Sequence, residues 1–257
     1  MNKDLAVYIN QLREMTRCEW RLREQSTVLG FIWTLLNPLL TYLVLYKLFT
    51  RWMGGYMADY PAYLLIGVVQ YGFFTTATTY GMSSLNRRRG ILMNFPMSRD
   101  ILVFTAVLSI SISYGIELLL MLGFLLAVGA PVSLSWLAFP VVVMLQALFV
   151  TGLALLLSVV AVRFFDFERI WSIVTTAGFF LTPIFYTTAA IAQERQDLLR
   201  FNPMAHVIEL SRDCLLRGQF PEWWRLAGLA AFAFCAAGAG YALFKNQEER
   251  LSDYVLP

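Results

Sequence analysis

Apolar positions in this chain come in long unbroken runs, separated by short polar clusters. Six runs, 31–50, 62–83, 101–128, 137–162, 170–189 and 226–244, approach the roughly 20 residues a helix needs to cross a bilayer. An even number of crossings predicts both chain ends on one side. Ahead of the first run, Leu5, Tyr8, Ile9, Leu12 and Met15 recur at helical spacing among Arg13, Glu14, Arg17 and Arg21. Residues 1–30 therefore predict an amphipathic helix that lies in the membrane interface or packs as a cap on other loops. No small-residue cleavage site follows the first run, so it is expected to be retained as a span. Segment 190–225 is too polar to span. Pro203, followed by Val207, Ile208, Leu210, Leu215 and Leu216 among charges, predicts short external helices, re-entrant at the surface, with Trp223 and Trp224 marking the interface before the last span.

Composition agrees with this pattern. With 58% hydrophobic residues, 14% charged and a mean hydropathy of +0.61, the chain predicts an all-α integral membrane protein. No repeat is visible, so we read one domain over 1–257: a leader at 1–30, a six-span region at 31–244 and a tail at 245–257. Cys18, Cys214 and Cys235 fall in three different regions, and no disulfide or metal cluster is expected. Of the 20 Lys and Arg, 13 lie on the side of the termini. Setting 190–225 aside, the other side holds two, which predicts that the termini and segment 85–100 face the cytoplasm.

No phosphate-binding glycine loop, nucleophile elbow, zinc-protease signature or glycosidase-type acid pair occurs, so transport is expected, with any energy supplied by a partner. "LNRRRGILMNFPMSRD" is the most distinctive polar segment. Arg87, Arg88, Arg89 and Arg99 supply charge, and Ile91, Leu92, Met93 and Phe95 could fill a groove on a soluble partner. A basic topological anchor is the other reading, although an anchor needs no "ILMNF". "VRFFDFERI", with Asp166, offers a second structured element on the same side. Tyr42, Tyr46 and Phe49 share one face of the first span and, with Trp33, could line a path for sugar rings or simply pack. Pro38 predicts a kink there. Glu117 is the only acid well inside a run; it is either functional or satisfied against a neighbouring helix or near water. Ala233, Ala236, Ala237 and Gly240 permit close packing of the last helix.

Taken in order, the leader, "LNPLLTYLVL", "NFPMSRDIL", "FFLTPIFY" and "FNPMAHVIELSRDCLLRG" resemble the membrane subunits of ABC type 2 exporters. Among them the likeness is to permeases for polysaccharides such as O antigens, capsules and teichoic acids, and it covers nearly the whole chain. The resemblance implies a homodimer in the bacterial cytoplasmic membrane with two copies of a separate ATPase. It also implies that ATP and Mg bind the partner, that a channel lies at the dimer interface, and that a polyprenyl-diphosphate-linked polymer is the cargo; no cofactor and no nucleic acid are implied for this chain. Asn86 to Arg99 would form the coupling helix in the ATPase groove, with Asp166 on the second cytoplasmic loop. Asn37 and Pro38 match the motif of the first span, Thr182, Pro183 and Tyr186 that of the fifth, and Asn202, Pro203, Arg212 and Asp213 that of the external helices. Tyr186 joins Trp33, Tyr42, Tyr46, Phe49 and Glu117 as a channel-lining candidate. Arg21, Arg23 and Arg87 could meet the lipid diphosphate. Phe165 stands before Asp166 where the family often has Arg. A permease for a small lipid or drug, and an ATP-independent or proton-coupled carrier built around Glu117, are the rivals.

Overall fold

The computed structural model describes residues 3–25, 32–53, 59–94, 97–164, 166–187 and 199–255. Among them every regular element is helical: α1 Lys3–Gln25, α2 Ile32–Met53, α3 Tyr60–Met82, α4 Ser84–Arg87, α5 Arg89–Asn94, α6 Asp100–Ala127, a 3₁₀ turn Leu134–Ala138, α7 Phe139–Arg163, α8 Phe167–Leu181, α9 Pro203–Leu215 and α10 Trp223–Val255. Each of the six apolar runs carries a helix. Three stretches, Asp100–Ala127, Leu134–Arg163 and Trp223–Glu248, are both long and apolar enough to cross a membrane. α2 and α3 have similar length but are diluted by Asn37, Lys47, Gln70 and several Thr and Tyr.

Two boundaries differ from the sequence expectation. The run 170–189 is not one helix: α8 stops at Leu181 and the chain bends through 182–186. Pro183 lacks the amide proton that would continue the ladder, and it disfavours helical backbone at Thr182. The last helix does not end at Phe244 but continues to Val255, so residues 245–255 extend it.

α3 is the centre of the bundle. It is buried on most sides along its length and packs against α2, α6, α7, α8 and α9. Small residues set the closest approaches. A Cβ built at Gly81 would sit 2.7 Å from the Ala154 methyl, and one at Gly152 would sit 2.4 Å from the Ala236 carbonyl carbon. A Cβ at Gly240 would fall 2.2 Å from the Gly152 carbonyl oxygen, so α7 and α10 touch backbone to backbone. α1 packs lengthwise on the first half of α6: the Tyr8 hydroxyl lies within reach of the Asp100 charge, and Trp20 Nε1 donates to Ser113 Oγ at 3.2 Å. Its protein-facing stripe is Tyr8, Leu12, Met15, Thr16, Glu19 and Arg23, while Leu5 and Ile9 stay exposed. The partner of the leader is thus another helix rather than loops. α2 and α8 present exposed apolar faces, including Leu40, Leu43, Val44 and Leu48 on one and Ile170, Ile173 and Leu181 on the other.

Candidate functional site

At the end of the bundle where α3 gives way to α4, the arginine segment is two short helices joined at Arg88, not one. Leu85 is fully buried, and Asn86 Nδ2 donates to the Ala161 carbonyl at 3.1 Å, pinning α4 to the end of α7. Arg87 lies over the Tyr80 ring, 3.4 Å from its centroid, and donates to the Tyr80 carbonyl at 2.8 Å. Arg88 pairs with Glu19 of α1, whose other carboxylate oxygen accepts from the Tyr80 hydroxyl at 2.8 Å. Arg89 donates to Asn86 Oδ1 at 3.3 Å. Ile91 is half-buried; Leu92 and Met93 lie on α5, but their side chains, and Phe95 altogether, fall outside the described residues. Asp166 is exposed and pairs loosely with Arg169 at 3.7 Å. Its neighbour Glu168 is near enough for its charge to act on Arg87.

The same end has a second junction. Asp100, 3% exposed at the start of α6, meets Lys245 Nζ of α10 at 3.4 Å. Glu248 accepts from the Arg99 amide at 3.1 Å. Burial and the Asp100 carboxylate raise the pKa of the Tyr8 hydroxyl above its ordinary value. The segment leading out of α5 is therefore tied to both α1 and α10.

Between α2, α3, α6 and α8 lies a half-open cavity of about 460 Å³. Asn37 and Pro38 form one wall, Thr75 and Thr76 another, and Glu117 and Arg23 both contribute to it. Arg23 donates to Ser113 Oγ, one turn before Glu117 on α6, and also stands 5.8 Å from the Tyr80 ring centroid. Arg23 and Arg87 thus both stand beside one tyrosine, while Arg21 faces away on the exposed side of α1. Of the aromatic candidates, Tyr42 is buried against Tyr46 and Phe124, and Phe49 packs at a tilt on Phe185 with ring centroids 4.7 Å apart. The Tyr186 hydroxyl donates to the Leu181 carbonyl at 2.9 Å. Trp33 lies on α2, with its side chain outside the described residues.

At the opposite end, the break after α8 exposes carbonyls that need donors. Arg212 of α9, fully buried, supplies them: Nη1 reaches the Pro183 carbonyl at 2.8 Å and Nη2 the Ile184 carbonyl at 2.9 Å. Nη2 also donates to the Tyr63 carbonyl at 3.1 Å, and the guanidinium lies 3.3 Å over the Tyr63 ring. Tyr60 and Tyr63 hydroxyls take the Phe185 and Tyr186 carbonyls at 3.1 and 3.0 Å. Asn202 caps α9, accepting from the Met204 and Ala205 amides, and its Nδ2 donates to Thr182 Oγ1 at 2.9 Å. Glu209 neutralises Arg212 at 2.8 Å and bonds Arg217 at 3.2 Å. Burial alone would raise the Glu209 carboxyl, but the two cations hold it below the ordinary carboxylate value. Asp213 pairs with Arg217, and burial raises the pKa of the Cys214 thiol to about 11. Thr182, Pro183, Tyr186, Asn202, Pro203, Arg212 and Asp213, far apart in sequence, meet at this one junction.

A buried polar network escaped the sequence reading. Gln70 Nε2 donates to Ser211 Oγ at 3.0 Å, Gln146 Nε2 donates to the Gln70 carbonyl at 2.9 Å, and the Tyr114 hydroxyl donates to Gln70 Oε1. Its signal was present as two amides inside otherwise apolar runs. Glu19 and Tyr80 were missed as well, because each looks ordinary until α1 docks on α6 and brings Glu19 to the Tyr80 hydroxyl.

The chain is similar to known proteins along most of its length. The chain is 28% identical over 255 residues to "O-antigen export system permease protein RfbA" of Myxococcus xanthus, covering 98% of each chain. It is 24% identical over 256 residues to the protein of the same name from Klebsiella pneumoniae, covering 99% of this chain and 98% of that one. It is 26% identical over 236 residues to "Polysialic acid transport protein KpsM" of Escherichia coli, covering 91% of this chain and 92% of the relative. The model of the ABC-2 type transporter family matches residues 10–216, a range that takes in the arginine segment, the cavity walls and the Arg212 junction. With its apolar helices and that match, the chain is a multi-pass membrane permease and belongs to the ABC-2 type transporter family.

Proposed function

We propose that this chain is the permease subunit of an ABC exporter that carries a lipid-linked polysaccharide, of the O-antigen or capsule kind, out across the bacterial cytoplasmic membrane. The observation that carries the reading is end-to-end similarity to permeases named for O-antigen export and polysialic acid transport. In this reading α2, α3, α6, α7, α8 and α10 are the six spans, and the chain ends and α4–α5 face the cytoplasm. Two copies of the chain pair through exposed apolar helix faces such as those of α2 and α8, and a separate ATPase supplies the energy, holding ATP and Mg. Asn86 to Arg99, with Ile91, Leu92, Met93 and Phe95 as the apolar filling, is the element the ATPase grips, and Asp166 marks a second contact. ATP-driven movement there shifts the attached helices as rigid bodies. Trp33, Tyr42, Tyr46, Phe49 and Tyr186 border the polymer path, and Arg23 with Arg87, both beside Tyr80, receives the lipid diphosphate. Arg21 serves as an outer collecting charge.

The test is a strain lacking this gene, complemented with the wild type or with Arg87, Arg88 and Arg89 changed to Ala. The expected result is polyprenyl-linked polymer trapped inside the deletion strain, cleared by the wild type and not by an inserted, expressed variant. Normal surface polymer in the deletion strain overturns the polysaccharide assignment in favour of a small lipid or drug.

A further inference from the structure

Resting on that reading, we propose that the cavity between α2, α3, α6 and α8 is a sugar-binding subsite, holding the hexose attached directly to the lipid diphosphate, with Glu117 accepting from its ring hydroxyls. Three observations point there. The cavity, about 460 Å³, is within the roughly 300–1,000 Å³ usual for small-ligand sites, and its walls mix aromatic rings with polar side chains from four helices. Phe179 and Phe180 supply flat apolar surface of the kind that covers the C–H face of a pyranose, while Thr75 and Thr76 supply hydroxyls for its polar edge. Glu117 adds a carboxylate, whose two oxygens accept from adjacent hydroxyls in charge-assisted hydrogen bonds.

A cation and a carboxylate in the same cavity fit a sugar joined to a diphosphate rather than a free sugar. Arg23 enters the cavity from α1 and bonds Ser113, one helical turn, about 6 Å along the axis, from Glu117. Arg23 and Arg87 both stand beside Tyr80, one turn beyond Thr76 on α3. Within one cavity Arg23 offers a cation for phosphate oxygens and Glu117 a carboxylate for sugar hydroxyls, the two kinds of group that a glycosyl diphosphate joins. Glu117 thereby acquires a role without a second acid, which a proton relay would require.

The purified permease–ATPase complex, in nanodiscs, would be tested for equilibrium binding of two probes: farnesyl diphosphate carrying one N-acetylglucosamine, and farnesyl diphosphate alone. The ring hydroxyls the site reads are shared among hexoses, so one sugar suffices. The wild type is expected to bind the sugar-bearing probe about tenfold more tightly, the scale of one hydrogen bond to a charged group. Glu117→Gln should remove most of that preference and leave the bare diphosphate unchanged. Thr76→Val, which replaces a side chain of equal size on an exposed stretch of the wall, should reduce the preference with no consequence for folding. Arg23→Gln should weaken both probes alike. Equal binding of the two probes by the wild type, or an undiminished preference in both Glu117→Gln and Thr76→Val, overturns the subsite. If the deletion strain still traps lipid-linked polymer, only the subsite falls; if it traps none, the export reading falls with it.

Discussion

Arg212 shows how much one side chain carries. Its guanidinium is desolvated completely, yet it has the Tyr63, Pro183 and Ile184 carbonyls, the Glu209 carboxylate and the Tyr63 ring as partners. Replacing it by Met leaves orphaned carbonyls and a Glu209 held by Arg217 alone. We expect a loss of about 3–5 kcal/mol, read as a lower unfolding temperature in detergent. Arg212→Lys should recover little of it, since an ammonium cannot span those acceptors in one plane. Glu209 adds a pH dependence. Its folded pKa is depressed below the ordinary value of 4.5, so its contribution is present above that value and is lost as pH falls through the folded pKa. The stability gap between the wild type and Glu209→Gln should therefore be constant near neutrality and shrink below about pH 4.5; a gap that widens in acid would contradict the assignment. Arg212 was legible in the sequence only as part of a familiar pattern. What it does depends on a carbonyl cluster 28 residues away, which no local periodicity encodes.

At the scale of elements, helix contacts follow from which residues are small. Gly152 meets the α10 backbone so closely that no rotamer relieves an added methyl. Gly152→Val should abolish the monodisperse peak in size-exclusion chromatography, whereas Gly228→Ala, with open space around it, should leave the peak unchanged. The small residues of the last run announced such a contact, but its partner on α7 was visible only in three dimensions. The link between α1 and α4–α5 is likewise electrostatic and testable. Glu19→Arg and Arg88→Glu should each impair export, and the double exchange should restore much of it. The bridge joins a buried Glu19 to a half-exposed Arg88, so each single exchange is read in protein that keeps the wild-type size-exclusion peak. If neither single exchange alters export, α1 is not coupled through this pair. The leader's amphipathic spacing was readable, but its docking on α6 was not, because the spacing says that one face is buried and not what buries it.

For the whole molecule, the arrangement separates two ends with different work. One end gathers α4–α5, the leader and the extended α10 around Asp100 and Glu19; the other closes the broken α8 with α9. With the native cysteines replaced, a cysteine at exposed Gln219 should react with an impermeant maleimide in intact cells, and one at exposed Asp166 only after lysis. The reverse labelling would invert the proposed topology. The apolar runs by themselves determined that the chain is helical and built for a bilayer, because hydrocarbon-length stretches leave the backbone no other way to satisfy its hydrogen bonds. Motif order determined the family. Tertiary structure alone decided that the break Pro183 imposes after Leu181 is repaired by Arg212, that the leader locks onto Arg88, and that Glu117 and Arg23 share a cavity. Each of those depends on groups remote in sequence meeting at hydrogen-bonding distance, and one chain's hydrophobicity records how deep a residue lies without recording its neighbours.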